Sequence, residues 1–286
     1  MLLLFIKIVQ KFLGRSDIKS VAKLGAFLGL IWFYVLRIRR RTVFFNLKAA
    51  LPQKSGEHKE IARCCYASTG MNFTELLHIY SKPVSYINEH MQIIGWENYI
   101  AAKALNKGVI VVTGHFGNFD LLACSQGANG VPLAILSKNL SNTSLNRYWM
   151  NLRQRYGVRI FKDKEPRSVL KWLKSGNVLG LVTDQRISSK NGGVLVPFFS
   201  KKVWTSPAAA KLAFHTGAVL LPVVSRRVEA GKHVMTIGEA INPVVDNFGN
   251  IEIIGTMTLI NKQIEKWILA DPCGWMWLHK RFKNSL

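Results

Sequence analysis

The chain has 286 residues, of which 49% are hydrophobic, and it carries 39 basic against 16 acidic side chains. That hydrophobic content is enough for a folded core, so the composition excludes an intrinsically disordered chain. The net charge of +23 indicates a polyanionic partner: nucleic acid, an anionic membrane surface or an acidic protein. The four cysteines lack C-x-x-C and cysteine–histidine ligand spacing. We therefore expect no metal site, no disulfide framework and a reducing compartment.

Residues 1–54 combine apolar stretches with a high density of basic side chains. They include eleven Lys or Arg residues and one acid, Asp17. The longest uncharged run, Leu24–Leu36, has thirteen residues, whereas a spanning helix needs about 20, and no signal-peptide cleavage site follows. We expect an interfacial, membrane-associated helical segment at 1–54 and the main domain at 55–286. A first helix packed on the domain, with its basic side chains reaching outward, is the alternative.

Beyond residue 57, apolar runs alternate between helix and strand patterns. Helical patterns cover 57–80, 96–105, 120–128, 145–156, 166–174, 206–215 and 253–270. Strand patterns cover 91–94, 109–113, 132–136, 159–161, 178–183, 218–224 and 233–237. Apolar strands that alternate with helices predict an α/β fold, with a central, mostly parallel sheet flanked by helices. Residues 197–199 are expected to form an apolar loop that either lines a pocket or fills the core.

Polar residues follow four of these strands. They are Gly114-His115, Ser137-Lys138, Asp184-Gln185-Arg186 and Ser225-Arg226-Arg227. Ligands of open α/β sheets bind beyond the carboxyl ends of the strands. If the four strands are parallel, one histidine, one or two carboxylates and several cations surround one cleft. The simpler alternative is that these strands end in ordinary polar loops.

The stretch 108–120, GVIVVTGHFGNFD, places His115 at the end of a buried strand and Asp120 five residues later. A histidine held by a carboxylate can act as a general base and take the proton of an attacking hydroxyl. Asp120 is the nearer carboxylate in sequence, and Asp184 reaches His115 only through the fold. We therefore predict acyl transfer to a hydroxyl, with His115 and Asp120 as the catalytic residues.

The developing oxyanion needs hydrogen-bond donors, and the NH groups of residues 114–118 or the side chain of Asn118 are candidates. No G-x-S-x-G elbow is present, so direct attack on an activated acyl donor is favoured over a covalent acyl-enzyme. Nucleotide-binding and H-E-x-x-H patterns are absent as well, so no cofactor is expected.

The run Arg39-Arg40-Arg41 could contact nucleic acid, but no nucleic-acid-binding signature accompanies it, and we expect no such partner.

Five segments extend these motifs. They are T-G-H-F-G-N-F-D (113–120), T-D-Q-R (183–186), G-G-V-L-V-P-F-F (192–199), T-S-P-A-A-A-K-L-A-F-H-T-G-A-V-L-L-P-V (205–223) and P-C-G-W-M-W-L-H-K-R-F-K (272–283). Together, and in this order, they resemble the bacterial lipid A biosynthesis acyltransferase family, which includes phosphatidylinositol mannoside acyltransferases. The resemblance covers residues 15–283.

The resemblance implies a glycerolipid acyltransferase-like fold at the cytoplasmic face of the inner membrane. It also implies transfer of a fatty acyl chain from acyl carrier protein or acyl-CoA to a glycolipid hydroxyl, with a lipid A precursor as the expected acceptor. The +23 charge suits an anionic membrane surface and an acidic carrier protein. Another acceptor, such as a phosphatidylinositol mannoside or a lysophospholipid, remains an alternative, as does a non-catalytic protein that binds lipid or nucleic acid.

The resemblance also assigns residues. The family's H-x4-D/E pair matches His115 and Asp120, its arginine in the following helix matches Arg153, and its acid after the next strand matches Asp184. The candidates for substrate binding are Asn118, Lys138, Arg153, Asp184, Gln185 and Arg226. Lipid A enzymes often have an acid where Arg186 stands and glutamate where Asp120 stands, and both departures leave the acceptor open.

The carboxyl-terminal segment is rich in aromatic and basic residues: Trp267, Trp275, Trp277, Lys280, Arg281, Phe282 and Lys283. Such a mixture predicts a second contact with the membrane interface. The alternative is a segment that docks on the core through its aromatic rings.

Overall fold

The structure of the protein is a computed structural model, which describes residues 2–137, 142–162 and 165–286. The helices are α1 (Leu2–Arg15), α2 (Ile18–Ile31), α3 (Arg40–Ala50), α4 (His58–Tyr80), α5 (Trp96–Ala104), α6 (Phe119–Ala128), α7 (Thr143–Arg155), α8 (Pro166–Lys174), α9 (Ala208–Thr216) and α10 (Ile253–Ala270). The strands are β1 (Met91–Ile94), β2 (Val109–Thr113), β3 (Leu133–Leu136), β4 (Arg159–Phe161), β5 (Val178–Val182), β6 (Val194–Phe198), β7 (Lys201–Thr205), β8 (Val219–Glu229) and β9 (Lys232–Ile237).

Seven strands form the central sheet in the order β1-β9-β8-β2-β5-β3-β4. Neighbouring strands run parallel except for β8 and β9, which are antiparallel. Along β2, Ile110 and Val112 point into one hydrophobic core, while Val109 and Val111 point into the other. Helices therefore cover both faces, which explains why the strand is continuously apolar. The predicted α/β fold with a mostly parallel sheet is confirmed.

Two segments differ from the sequence-based expectation. Strand β8 continues five residues past the expected end at 224 because it pairs with β9 in an antiparallel ladder. The loop expected at 197–199 belongs to a separate antiparallel hairpin of β6 and β7, in which Phe198 is fully buried. Of the two expectations for this loop, filling of the core is therefore the correct one for Phe198.

The amino-terminal helices pack on α4. Helix α2 continues through a π-helical turn at Trp32–Leu36, and the combined stretch Ile18–Leu36 has 19 residues with a mean hydropathy of 1.5. By length and composition alone, this helix is long and apolar enough to cross a membrane. Gly25 and Gly29 face α4 so closely that an added Cβ would collide with backbone atoms of Gly70 and Tyr66. These glycines allow the two helix backbones to touch.

The carboxyl-terminal segment is buried rather than interfacial. Trp275, Trp277, Arg281 and Phe282 are at most 1% exposed, and the two tryptophan rings pack edge to face with their centroids 4.6 Å apart. Burial of these rings excludes them from a membrane contact, so the predicted second interfacial contact is wrong for these residues. The alternative, a segment that docks on the core, is correct for them.

A disulfide joins Cys64 on α4 to Cys273 in the carboxyl-terminal segment, with their Cα atoms 5.4 Å apart. The expectation that the chain has no disulfide framework is therefore wrong for these two cysteines. The two residues are 209 positions apart in the chain, and no local spacing reveals such a pairing. Cys65 and Cys124 are free and buried. The disulfide fixes the segment that begins at Cys273 against α4.

We expect Cys64→Ser to lower the free energy of unfolding by about 2–4 kcal/mol, because the crosslink restricts the unfolded chain. The measurement is thermal unfolding of the purified protein with and without dithiothreitol. Reduced wild-type protein, which is the form expected in a reducing compartment, should unfold like the variant, and the variant should not respond to the reductant. Identical curves for oxidised and reduced wild-type protein would contradict the expectation.

Candidate active site

His115 lies directly beyond the carboxyl end of β2. Asp184, which follows β5, contacts it twice: Oδ2 accepts from the backbone NH of His115 at 2.7 Å, and Oδ1 lies 2.8 Å from the ring Nδ1. Because β2 and β5 are adjacent and parallel, their carboxyl ends bring the two residues together. The carboxylate at Nδ1 fixes the proton on that nitrogen and leaves Nε2 with the free lone pair.

Asp184 is fully buried and remains ionised. The indole Nε1 of Trp275 donates to its Oδ2 at 2.7 Å. Burial by itself raises the pKa of Asp184, but the charge of His115 and the hydrogen bonds from His115 and Trp275 outweigh it and hold the pKa well below its ordinary value. Asp184 is therefore a permanent negative charge beneath the imidazole.

Gly114 allows this close approach. A Cβ at this position would lie 3.0 Å from Oδ2 of Asp184 and 3.0 Å from the ring of Phe116. A larger residue would therefore push the carboxylate away from the backbone NH of His115. Packing therefore favours glycine at this position.

Gln185 bridges His115 and a second histidine. Its Nε2 lies 3.0 Å from Nε2 of His115 and 3.0 Å from Nε2 of His279. The two imidazole centroids are 4.7 Å apart. Burial lowers the pKa of His279 to about 4, with a further contribution from the neighbouring His115. A neutral His279 accepts from the amide of Gln185, and that amide in turn covers the basic nitrogen of His115.

The fully buried Arg281 holds the backbone at Gln185. Its guanidinium donates to the carbonyl of Gln185 at 3.1 Å, and to Thr205 and Asn261 at 3.0 and 3.2 Å. The charged group also lies over the ring of Phe198, 4.8 Å from its centroid. Burial lowers the pKa of Arg281 to about 10, partly offset by Asp184, so it remains a cation at neutral pH.

Asp120 pairs with Arg153 rather than with His115. The Nε and a terminal nitrogen of Arg153 lie 2.8 and 2.6 Å from Oδ1 of Asp120. Burial by itself lowers the pKa of Arg153, but the charge of Asp120 reverses the shift and raises it. The question whether Asp120 or Asp184 contacts the imidazole is thus answered by the geometry: the contact belongs to Asp184.

A cavity of about 380 Å³ connects these groups. Its polar lining includes His115, Asp120, Arg153 and Gln185, and its apolar lining comes largely from β2, β3, β5 and α6, including Leu122, Leu133, Ile135 and Leu181. The lining therefore combines titratable and hydrogen-bonding side chains with an apolar wall from the sheet and α6. Such a cavity accommodates a hydrocarbon chain with a reactive head.

Three backbone donors of the 114–118 turn are already occupied. The NH of Phe116 donates to Gly114, the NH of Gly117 donates to Gly274 at 2.9 Å, and the NH of His115 donates to Asp184. Asn118 caps α6 through its Oδ1 and donates to the carbonyl of Asn72 at 3.0 Å. These three NH groups and the side chain of Asn118 hold the turn in place and are not free to bind an oxyanion in this structure.

Two further candidates lie elsewhere. Arg226 borders a separate cavity of about 180 Å³ beside Trp267 and Asp271, on β8, because its strand continues into the antiparallel ladder. Its neighbour Arg227 is bound by the buried Glu75. The cluster of cations expected from this strand is therefore absent from the cavity with His115. Lys138 lies outside the described residues.

His279, Trp275 and Arg281 were not among the candidates from the sequence. All three lie in the segment 272–283, which the resemblance had already singled out as a block. Once burial is known, a histidine close in sequence to two tryptophans and a buried arginine indicates a residue of the site. Without the fold, the same residues resemble a basic, aromatic surface.

The family model for "Bacterial lipid A biosynthesis acyltransferase" matches residues 3–284. The chain belongs to this family. It is 27% identical to the lipid A biosynthesis lauroyltransferase of Escherichia coli K12 over 270 residues, which is 92% of this chain and 85% of that protein. It is 26% identical to the lipid A biosynthesis palmitoleoyltransferase of the same strain, over 91% of this chain and 84% of that protein.

A more distant relative is the phosphatidylinositol mannoside acyltransferase of Mycolicibacterium smegmatis, which is 24% identical over 57% of this chain and 55% of that protein. The resemblance inferred from the motifs is confirmed. The chain is an acyltransferase of this family, and such an enzyme uses an acyl donor and a glycolipid acceptor.

We expect Trp275→Phe to lower the free energy of unfolding by about 1.5–3 kcal/mol, because the lost hydrogen bond ends on an ionised carboxylate. Trp277→Phe is the matched control, since its indole donates at 2.7 Å to the neutral carbonyl of Pro272, and it should cost about 1 kcal/mol. Denaturant unfolding of both variants provides the comparison. An equal or larger loss for the Trp277 variant would contradict a charged acceptor at Trp275.

Proposed function

We propose that this enzyme transfers a fatty acyl chain from acyl carrier protein or acyl-CoA to a hydroxyl of a lipid A precursor, with His115 as the general base. The observation that carries the proposal is the His115–Asp184 pair, whose histidine lines a largely apolar cavity. The names of the two long-matching relatives support lipid A as the pathway. An acyl acceptor of the phosphatidylinositol mannoside type is the second candidate, supported by the shorter match to the mycobacterial relative.

The chemistry follows from the state of the imidazole. With its Nδ1 proton held by Asp184, His115 presents an unprotonated Nε2 to the acceptor hydroxyl. The hydroxyl oxygen attacks the carbonyl carbon of the thioester while its proton moves to Nε2. The carbon–sulfur bond then breaks, and the leaving thiolate takes that proton. Asp184 stabilises the imidazolium that exists between the two steps.

Arg153 is the proposed partner for negative charge on the substrate. Arg153 is the only Lys or Arg side chain among the described residues that line the cavity. Asp120 holds it by two contacts. In this role Asp120 acts through the guanidinium, as a positioning residue. An arginine fixed at a wall of low polarity stabilises a developing oxyanion or a substrate phosphate more strongly than a solvated side chain does.

The substrate has to displace one contact. The amide of Gln185 occupies the lone pair of Nε2 in the structure, where the acceptor hydroxyl must bind during proton transfer. Because His279 accepts from the same amide nitrogen, Gln185 keeps one partner when the hydroxyl takes its place. This exchange excludes bulk water from the base until the acceptor arrives.

The amino-terminal helices are the proposed membrane contact. Helix α1 exposes Leu4, Phe5, Ile8 and Phe12, which are 58–67% exposed and repeat at roughly helical spacing, so that they lie on one side. With Lys7 and Lys11 on the same helix, this pattern suits insertion into the cytoplasmic face of the inner membrane. We accordingly retain residues 1–54 as the membrane-associated segment and 55–286 as the catalytic domain.

His115→Ala should reduce acyl transfer by about 10²-fold to 10⁴-fold, since no other group takes the hydroxyl proton. The exposed His215 on α9 offers the matched control, and His215→Ala should retain full activity. Transfer of a labelled acyl chain from its thioester to a lipid A precursor is the assay, with unfolding and vesicle binding as checks of integrity. Unchanged turnover in a folded His115→Ala protein would exclude this residue as the base.

A further inference from the structure

A glycine lies in the middle of the central sheet, where the cavity with His115 meets it. Gly180 is the third of the five residues of β5, which lies between β2 and β3, and it lines the cavity. Leu179 and Leu181 on either side are buried, whereas Gly180 is half-buried. The backbone of an inner strand is therefore open to the cavity at this residue.

The two neighbouring strands place bulky side chains at the same level. Gly180 pairs with Val111 of β2 and with Ile135 of β3, and residues paired in this way point to the same face of a sheet. Val111 and Ile135 both line the cavity, and they pack in the same core as Leu122 of α6. Between them, the missing side chain of Gly180 leaves a trough in the surface of the sheet.

Neither the backbone nor the packing requires glycine here. The φ angle of Gly180 is not in the positive range that favours glycine. An added Cβ would lie 3.3 Å from Cγ2 of Ile135, and the nearest backbone atom would be the carbonyl oxygen of Ala134 at 3.7 Å. At Gly127, by contrast, an added Cβ would lie 2.2 Å from the carbonyl oxygen of Tyr156. A methyl group therefore fits at Gly180 with a small movement of one side chain.

A glycine without such a requirement weakens the strand that contains it, because it adds flexibility to the unfolded chain and packs no side chain. In a strand interior, glycine often marks a place where a ligand approaches the backbone closely. Every other described position that β2, β3 and β5 contribute to the cavity carries a side chain: Val111, Thr113, Leu133, Ile135, Leu136, Leu181 and Val182. Most of these side chains are apolar, so the occupant of the trough is a hydrocarbon.

The trough lies deeper in the cavity than the catalytic pair. Val111, at the level of Gly180, is two residues before the end of β2 at Thr113, which is about 7 Å along a strand. His115 follows beyond that end. An acyl chain whose thioester lies at His115 therefore reaches the trough with carbons away from the thioester, where Ala123 and Gln126 of α6 also line the cavity.

We propose that the acyl chain of the donor crosses β5 at Gly180, and that the missing side chain there sets the longest chain that the enzyme accepts. The proposal rests on the acyl transfer proposed above and assigns one residue to its chain-length specificity. Gly180 contacts the hydrocarbon and takes no part in proton transfer.

The experiment measures kcat/KM for a series of acyl-CoA thioesters, from octanoyl to stearoyl, with one lipid acceptor. In Gly180→Ala and Gly180→Val, the longest chain that wild type uses should lose about tenfold or more for each methylene that no longer fits. Chains that end before the trough should react as in wild type, and the valine variant should shift the preference further than the alanine variant.

The matched controls are Gly56→Ala and Gly56→Val. Gly56 is exposed, and an added Cβ there meets no atom within 4 Å, so both variants should keep the wild-type preference. Equal losses for all chain lengths in the Gly180 variants would indicate a general structural role and overturn the proposal. An unchanged preference in both variants would overturn it as well.

Thermal unfolding separates packing from specificity. Gly180→Ala should melt no lower than wild type, because alanine reduces the freedom of the unfolded chain. This variant also keeps the test decisive if Gly180→Val fails to fold. A clearly lower melting temperature for Gly180→Ala would show that the fold requires the glycine and would contradict the proposal.

Binding provides a readout that does not depend on turnover. Free fatty acids from decanoate to stearate compete with bound cis-parinaric acid, a fluorescent fatty acid, and the longest competitor that binds Gly180→Val should be shorter than for wild type. If this difference is found but wild type transfers no acyl chain, the proposed function fails and the role of Gly180 stands. If wild type and Gly180→Val transfer and bind the same chains, the role of Gly180 fails and the proposed function stands.

Discussion

The site depends on one buried negative charge, the carboxylate of Asp184. Both of its oxygens are used: one faces Nδ1 of His115, and the other accepts from the backbone NH of His115 and from the indole of Trp275. A buried carboxylate is stable only when such donors replace its lost hydration. The same contacts orient the imidazole and join three distant parts of the chain, the turn after β2, the end of β5 and the carboxyl-terminal segment.

Several structural features support that charge without touching the reacting atoms. Gly114 leaves room for the carboxylate, and the Cys64–Cys273 disulfide holds the beginning of the segment that carries Trp275. Two backbone hydrogen bonds connect the same segment to the turn. The NH of Gly117 donates to the carbonyl of Gly274 at 2.9 Å, and the NH of Met276 donates to the carbonyl of His115 at 3.0 Å. The carboxyl-terminal residues thus belong to the scaffold of the candidate site, which explains why their aromatic side chains are buried.

Charge is distributed unevenly over this scaffold. Near the cavity, Asp184 and Asp120 each have a cationic or hydrogen-bonding partner within 3 Å, so the interior is electrostatically balanced. Part of the surplus that gives the chain its +23 lies on the amino-terminal helices and on the exposed Lys280 and Lys283. Balanced interior pairs hold the geometry of the candidate site, whereas uncompensated surface cations attract anionic surfaces and head groups over about 10 Å.

The sequence alone determined the α/β fold, most element boundaries and the position of His115, because alternating apolar runs and a strand followed by glycine and histidine are local signals. It also carried the family motifs. Only the tertiary structure decided which carboxylate reaches the imidazole, since Asp184 lies 69 positions away and becomes a neighbour through the pairing of β2 with β5. The same holds for His279, for the disulfide and for the burial of Trp275 and Arg281. A composition of tryptophan, lysine and arginine is shared by membrane-facing surfaces and by buried networks, and only packing distinguishes them.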